Sequence, residues 1–174
     1  MPRRPDLPRL PVTPDASENQ ECPMYVSQLC KSTVGTIRAV DEITTAAQLM
    51  REKHVGYLVV IEPGRGDGSP MPIGVLTDRD IVVSVVARGV DPRTFTVGDV
   101  MTSNPVTVYE LDAVEKAVQE MRRIGVRRLP VVGKLGELKG VLSLDEVLDV
   151  VSGELRDLAG SIRTDQRIES NVRA

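Results

Sequence analysis

The chain repeats itself with an offset of 71 residues, and this repetition constrains its fold more than any other feature. The match continues without a gap until the loop after residue 61, where the first copy is longer and the offset falls to 66. The matched pairs include Val26 and Val97, Thr36 and Thr107, Asp41 and Asp112, Ala46 and Ala117, Met50 and Met121, Leu58 and Leu129, Val60 and Val131, and Gly74 and Gly140. Such a period indicates two copies of one structural unit.

Each copy predicts the element order β-α-β-β-α, and therefore an α/β (α+β) fold. The first helix carries apolar residues at i, i+3, i+4 and i+7, as at Ile43, Ala46, Ala47 and Met50. Asp41 and Asp112 are the predicted N-caps of these helices. The predicted strands are 35–40, 57–61 and 73–76 in the first copy and 106–111, 128–132 and 138–142 in the second, with further helices at 81–87 and 147–151.

A single copy of roughly 60 residues buries too little surface to be stable alone. We therefore expect both copies to form one compact unit. The predicted organisation is a disordered, proline-containing tail at 1–21, repeat 1 at 22–90, repeat 2 at 91–153, and a C-terminal helical extension or tail at 154–174.

Composition and charge exclude several classes of protein. No apolar run approaches the roughly 18 residues of a membrane span, and the N-terminus lacks the apolar stretch of a secretory signal. The net charge of −3 argues against a nucleic-acid binder. Cys22, Cys30 and His54 are too few and wrongly spaced for a disulfide framework, a metal site or a catalytic triad, so we expect a cytoplasmic, non-enzymatic protein with reduced thiols.

Two turns carry the pattern [ST]-x-x-[DE] between a strand and an apolar helix: Thr77 to Asp80 and Ser143 to Glu146. A helix N-terminus offers free N–H groups to a phosphate, and a carboxylate can accept both hydroxyls of a ribose. The same pattern is also a capping box, which binds no ligand. We expect Ser143 and Glu146 to fit the capping box better than Thr77 and Asp80 do.

The repeat resembles the CBS domain, and two copies in register resemble a CBS pair, or Bateman module. The resemblance rests on the element order, the lead-in 97–101, the strand 127–132 and the turn 74–80. It implies two repeats packed about a pseudo-two-fold axis, a regulatory rather than catalytic role, adenosine-containing ligands in the clefts between the repeats, and pairing into dimers.

The resemblance assigns one cleft to the turn of the first repeat and the hairpin of the second. There, Val106, Leu129 and Pro130 would form an apolar slot for a base. Alternate residues of a strand face opposite sides, so only one of Arg127 and Arg128 can enter the cleft to bind phosphate, and the family pattern favours Arg128. The implied residues are Thr77, Asp78, Arg79, Asp80, Asn104, Pro105, Val106, Arg127, Arg128, Leu129 and Pro130.

The second implied cleft departs from the family pattern. Glu146 stands where the family has Asp, with Asp145 as the alternative ribose partner. Gly56 and Tyr57 stand where the other cleft has two arginines, so we expect a weaker phosphate site. The implied residues are Thr33, Val34, Gly35, Val55, Gly56, Tyr57, Leu58, Ser143, Asp145 and Glu146.

The predicted function is a regulatory module that senses AMP, ADP or ATP, needs no obligatory cofactor, and signals to an unidentified partner protein. The alternatives are a structural dimerisation module with vestigial clefts and a sensor of S-adenosylmethionine or NAD. The helices at 81–87 and 147–151 are apolar nearly all round, which favours a homodimer.

Overall fold

The computed structural model describes residues 23–64 and 68–172, with side chains described as far as residue 161. The predicted tail at 1–21 and Cys22 lie outside the described residues. No helix within the described ranges is long and apolar enough to cross a bilayer.

The predicted α/β fold of two β-α-β-β-α repeats is confirmed. The first repeat contains α1 (Val26–Leu29), β1 (Thr36–Arg38), α2 (Ile43–Lys53), β2 (Tyr57–Pro63), β3 (Pro70–Thr77) and α3 (Asp78–Ile81), which continues as a π-helical turn at Val82–Val86. The second contains a 3₁₀ turn at Pro92–Thr94, then α4 (Val97–Val100), β4 (Thr102–Ser103), β5 (Val108–Tyr109), α5 (Val114–Ile124), β6 (Arg128–Val132), β7 (Leu138–Ser143) and α6 (Leu144–Val172).

The two sheets share one topology. In the first, β1 runs parallel to β2, β2 pairs antiparallel with β3, and β3 pairs with β4. The second has the order β5-β6-β7 with the same directions. The strand register shifts between Val60 and Ile61 in one hairpin and between Val131 and Val132 in the other. These two irregularities are also separated by 71 residues.

Side chains alternate between the two faces of each central strand, and the molecule has two separate hydrophobic cores. Leu58 and Val60 of β2 point into one core, and Leu129 and Val131 of β6 point into the other. Val59, on the opposite face of β2, is also fully buried, and β3 contacts β7. The sheets therefore pack against each other, and the buried faces of both strands explain their continuous apolar runs.

Each repeat completes its core with the lead-in of the other, that is, with residues 26–31 of the first repeat or the equivalent residues 97–102 of the second. Val97, which begins α4, is buried in the core of the first repeat, and its N–H donates to Asp41 O at 2.8 Å. Val26, which begins α1, is buried in the core of the second repeat, and its N–H donates to Asp112 O at 2.9 Å. The two segments are exchanged between the repeats.

The same exchange extends to the sheet edges. Thr102 and Ser103 form β4 against β3 of the first repeat. At the equivalent edge of the second repeat, Lys31 and Val141 exchange two N–H···O bonds of 3.0 Å. In space, each structural unit is thus built from both parts of the sequence.

The prediction that Asp41 and Asp112 are N-caps is wrong. Helix α2 has Glu42 at its N-cap, while Asp41 accepts bonds from the N–H and the guanidinium of Arg38 at 3.0 and 2.8 Å. Helix α5 has Ala113 at its N-cap, and Asp112 accepts a bond from Tyr109 N–H at 3.0 Å. Both aspartates close the turn between strand and helix, because each side chain bonds back to the strand.

Apolar side chains remain exposed on helical segments of both repeats. Val82, Val83 and Val86 lie on the π-helical turn of the first repeat, and Leu155 and Leu158 lie on α6. A separate groove of about 750 Å³ lies between α1, α5 and α6, and its lining is mostly apolar. These faces are where a partner could pack.

Candidate ligand-binding cleft

A cavity of about 390 Å³ lies between the two repeats. Nine of the ten residues assigned to the second cleft from the sequence line it, whereas Leu58 is fully buried in the first core. Four lining residues were not expected from the sequence, Lys31, His54, Val141 and Asp149, and Arg128 was expected in the other cleft. The lining residues are Lys31, Thr33, Val34, Gly35, His54, Val55, Gly56, Tyr57, Arg128, Val141, Ser143, Asp145, Glu146 and Asp149.

At the Ser143 turn, which begins α6, the side chains bond both within the turn and to Lys31 in the cavity wall. Glu146 accepts from Ser143 N–H at 3.0 Å and forms an ion pair with Lys31 Nζ at 2.7 Å. The Ser143 hydroxyl accepts instead from Asp145 N–H at 3.2 Å. Burial alone would raise the pKa of Glu146, but the Lys31 ammonium and the Ser143 bond outweigh it and lower the pKa.

In the equivalent turn of the first repeat, Thr77 and Asp80 bond to each other. Asp80 Oδ2 accepts from Thr77 N–H at 2.9 Å and from the Thr77 hydroxyl at 2.7 Å, while that hydroxyl accepts from Asp80 N–H at 3.2 Å. This is a complete capping box. The expectation that Ser143 and Glu146 would fit the box better is wrong, since the longer Glu146 reaches past its own turn to Lys31.

Arg128 lies in the cavity that was expected to lack an arginine, so that expectation is wrong. Arg128 begins β6 directly opposite Ser143. Its guanidinium lies 3.6 Å from Asp145 Oδ2 and stacks over the Tyr57 ring, with 5.9 Å between Cζ and the ring centroid. Arg127 is exposed and is not part of this lining, as the alternation of side chains along a strand requires.

Tyr57 occupies the position in the first repeat that Arg128 occupies in the second. Its hydroxyl oxygen is shielded from solvent and has no hydrogen-bond partner among the residues that the structure describes. Burial raises the pKa of Tyr57 far above its usual value, although the Arg128 charge opposes the shift. The Tyr57–Arg128 contact therefore joins the two repeats, and the Tyr57 hydroxyl within it makes no hydrogen bond to the described residues.

The structure distributes the other predicted residues differently. The side chain of Leu129 is 1 % exposed inside the second core, and Pro130 is also buried. The prediction that these two side chains form a slot for a base is therefore wrong. Val106 is half-buried and packs against the same core.

The remaining first-cleft residues lie around the edge of β3 and the start of α3. Asn104 donates its N–H to Ile73 O at 3.0 Å, which holds it beside β3. Asp78 N–H donates to Gly56 O at 3.2 Å, so Asp78 sits over the β2 hairpin of its own repeat. Asp78 and Arg79 are exposed, whereas Pro105 is half-buried.

The cavity offers charge but no arrangement typical of a metal site. Among residues 23–64 and 68–172, no group of three or more His, Cys, Asp or Glu side chains could hold a metal ion. Cys30 is a free thiol, and burial raises its pKa. Lys31 and Arg128 lie near the N-terminus of α6, where an anion is favoured. Glu146 and Asp145 pair with these two cations and Asp149 is a third carboxylate in the lining, so an anion would compete mainly for Arg128, whose ion pair is the longer one at 3.6 Å.

The CBS domain family model matches this chain twice, at residues 26–87 and 97–153. The chain belongs to the CBS domain family. Both matches fall on the repeats identified from the sequence, and together they include both lead-ins that the structure shows to be exchanged.

Two relatives cover most of this CBS chain. An uncharacterized protein of Methanopyrus kandleri is 32 % identical over 125 residues, covering 72 % of this chain and 61 % of its own length. The CBS domain-containing protein YhcV of Bacillus subtilis is 32 % identical over 139 residues, covering 80 % of this chain and 92 % of its own. The chain thus spans less than two thirds of the first of these relatives.

A solved structure shares both fold and sequence with this CBS chain. A CBS domain protein from Pyrobaculum aerophilum, complexed with AMP, is 31 % identical and superposes with a TM-score of 0.62. The similarity covers 71 % of this chain and 89 % of that one.

Proposed function

We propose that this chain is a non-enzymatic regulatory module that binds an adenine nucleotide, AMP, ADP or ATP, in the cavity between its repeats and signals to a partner protein. The observation that carries the proposal is the juxtaposition of Lys31 and Arg128 with the Ser143 turn, which begins α6. The volume of about 390 Å³ lies within the range of small-molecule sites.

Each part of a nucleotide has a matching group in this cavity. The N-terminus of α6, the Ser143 hydroxyl and the two cations suit the phosphates. Asp145 is 62 % exposed and is held only by a long ion pair with Arg128, so it is the freer of the two carboxylates to accept the ribose hydroxyls. Glu146 is already engaged by Lys31.

The comparisons support the adenosine part of the proposal. The Pyrobaculum structure holds AMP on the same fold at 31 % identity. A nucleotide bound between the repeats would contact both of them and would favour the arrangement that fits it. A change in that arrangement is the signal that a partner protein would read.

Calorimetric titration of the full chain with AMP, ADP, ATP and adenosine tests the proposal. We expect the nucleotides to bind more tightly than adenosine, and a nucleotide at 100 times its dissociation constant to stabilise the chain by about 2.7 kcal/mol. If none of the four compounds binds at millimolar concentration, the chain is not an adenine-nucleotide sensor. Equal binding of adenosine and AMP would favour a ligand without phosphate, such as S-adenosylmethionine, and NAD is the further comparison.

The complete capping box at Thr77 and Asp80 favours a second candidate function, a dimerisation module with vestigial clefts. Both functions include a homodimer, because Val82, Val83 and Val86 are exposed together with the α6 face and need a covering surface. Light scattering should give twice the 19.0 kDa chain mass at micromolar concentration. A mass of one chain would exclude the homodimer.

A further inference from the structure

The Tyr57 hydroxyl is a buried polar atom that the described part of the protein leaves without a hydrogen bond. Buried hydroxyls in folded proteins are nearly always bonded, because an unmade bond destabilises the fold. Tyr57 is not remote from the candidate site, since it is one of the residues that line the cavity between the repeats. The unbonded Tyr57 hydroxyl therefore belongs to a residue of the candidate site.

The group that lies over the Tyr57 ring is the Arg128 guanidinium, 5.9 Å from the ring centroid. Arg128 is weakly held there. Its carboxylate partner, Asp145 Oδ2, is 3.6 Å away and largely exposed, and such ion pairs contribute little to stability. An anion in the cavity would therefore compete effectively for Arg128.

We propose that Tyr57 is a specificity-determining residue of this cleft, whose hydroxyl donates its missing hydrogen bond to an acceptor on the bound ligand, while Arg128 leaves the ring for the anionic group of a ligand that carries one. The inference rests on the proposed function, because it assumes a ligand in this cavity. It adds that the ligand presents a hydrogen-bond acceptor to Tyr57, either a phosphate oxygen or an acceptor of the nucleoside.

The proposal gives Tyr57→Phe an unusual combination of effects. Removing an unbonded buried hydroxyl should leave the free protein as stable as before or raise its unfolding midpoint by about 2–4 °C. The same substitution should weaken nucleotide binding about tenfold, because the ligand's acceptor then faces an apolar ring edge. If Tyr57 only packed against its neighbours, the substitution would not weaken nucleotide binding while leaving the unfolding midpoint unchanged or raised.

The experiment measures the unfolding midpoint of the free full chain and its affinity for AMP and adenosine, for the wild type and Tyr57→Phe. The control is Tyr109→Phe, which removes a hydroxyl from an exposed tyrosine outside the cavity lining and should change neither quantity. A loss for AMP alone identifies a phosphate oxygen as the acceptor. A loss for both compounds identifies an acceptor on the nucleoside.

Two results would overturn the inference while leaving the proposed function intact. If Tyr57→Phe lowers the midpoint of the free protein, the hydroxyl is already bonded without ligand. If the wild type and Tyr57→Phe bind AMP and adenosine equally well, the hydroxyl does not contact the ligand. Failure of the wild type itself to bind either compound removes the proposed function and the inference together.

Discussion

The turns at Thr77 and Ser143 stand at equivalent places in the two repeats, yet they direct their carboxylates differently. Asp80 bonds only within its own turn, whereas Glu146 bonds its turn and also pairs with Lys31 from the other repeat's lead-in. Two differences produce this contrast: Glu146 is one methylene group longer than Asp80, and the position equivalent to Lys31 is Thr102, which offers no positive charge. A shared sequence pattern therefore determines where the helix starts but not which partner the carboxylate bonds.

The exchanged lead-ins also meet the two repeats differently. Gly74 faces the Met101 side chain, and a Cβ at that glycine would lie 2.5 Å from Sδ. The equivalent Gly140 faces the backbone of Lys31, and a Cβ there would lie 2.6 Å from its carbonyl oxygen. The second contact cannot relax by rotation of a side chain.

The largest expected effect sharpens this difference between the repeats. Gly140→Ala should destabilise the chain by about 3 kcal/mol, because the lead-in backbone must move. Gly74→Ala is the matched substitution and should cost about 1 kcal/mol, since the flexible Met101 side chain can rotate. Urea unfolding of both variants gives the two values. Equal losses would mean that the two lead-ins are equally adaptable.

The next effect concerns the arginines that begin β6. Arg128→Met keeps an apolar stem and removes the donor, so we expect AMP affinity to fall ten- to a hundredfold, equivalent to roughly 1.5–3 kcal/mol for a charged hydrogen bond. Adenosine affinity should hardly change. Calorimetric titration measures both.

The matched control for this prediction is Arg127→Met, one residue earlier and outside the cavity lining. It should retain AMP affinity, since Arg127 points away from this cavity. A larger loss in Arg127→Met than in Arg128→Met would place the phosphate in the other cleft, beside the Thr77 turn.

A smaller effect separates the two turns directly. Asp80→Ala removes both bonds that its carboxylate accepts from Thr77 and should destabilise the chain by about 1–2 kcal/mol. Glu146→Ala should destabilise it less, because the bond from Asp145 N–H to the Ser143 hydroxyl still caps α6. Thermal unfolding ranks the two variants, and the reverse order would show that the Lys31 ion pair contributes more than the local cap.

The smallest effect is a pH dependence. Because the pKa of Glu146 is lower in the folded chain, its contribution to stability is present above the unfolded pKa of 4.5 and is lost as the pH falls through the folded value. Stability should therefore fall more steeply below pH 4.5 in the wild type than in Glu146→Gln. Acid titrations followed by circular dichroism compare the slopes.

The matched variant for the pH experiment is Lys31→Met, which removes the partner that lowers the pKa of Glu146. Its acid slope should lie between those of the wild type and Glu146→Gln. A Lys31→Met slope identical to the wild type would mean that the ion pair does not set the pKa.

The sequence predicted the repeat order, both hairpins and one wall of the cavity, because these depend on periodicity and on the 71-residue offset. The sequence did not predict contacts between side chains of different elements, which depend on side-chain length and on how the two sheets pack. The assignment of Arg128 followed the family pattern, but its stacking on Tyr57 depends on the packing of the two sheets. Lys31 was missed for a related reason, since its place beside Glu146 arises from pairing with Val141.

The exchanged lead-ins also determine when the protein can fold during its synthesis. Val26 is among the first described residues to be made, but the core that buries it includes Leu142, near the end of the second repeat. Contacts between residues so distant in sequence form slowly, because the intervening chain must first be ordered. The first repeat likewise lacks Val97 until the second has begun to appear. Neither core can therefore close on a nascent chain that ends near residue 90. The first core can close only once Val97 has been made, and the second only once Leu142 has been made.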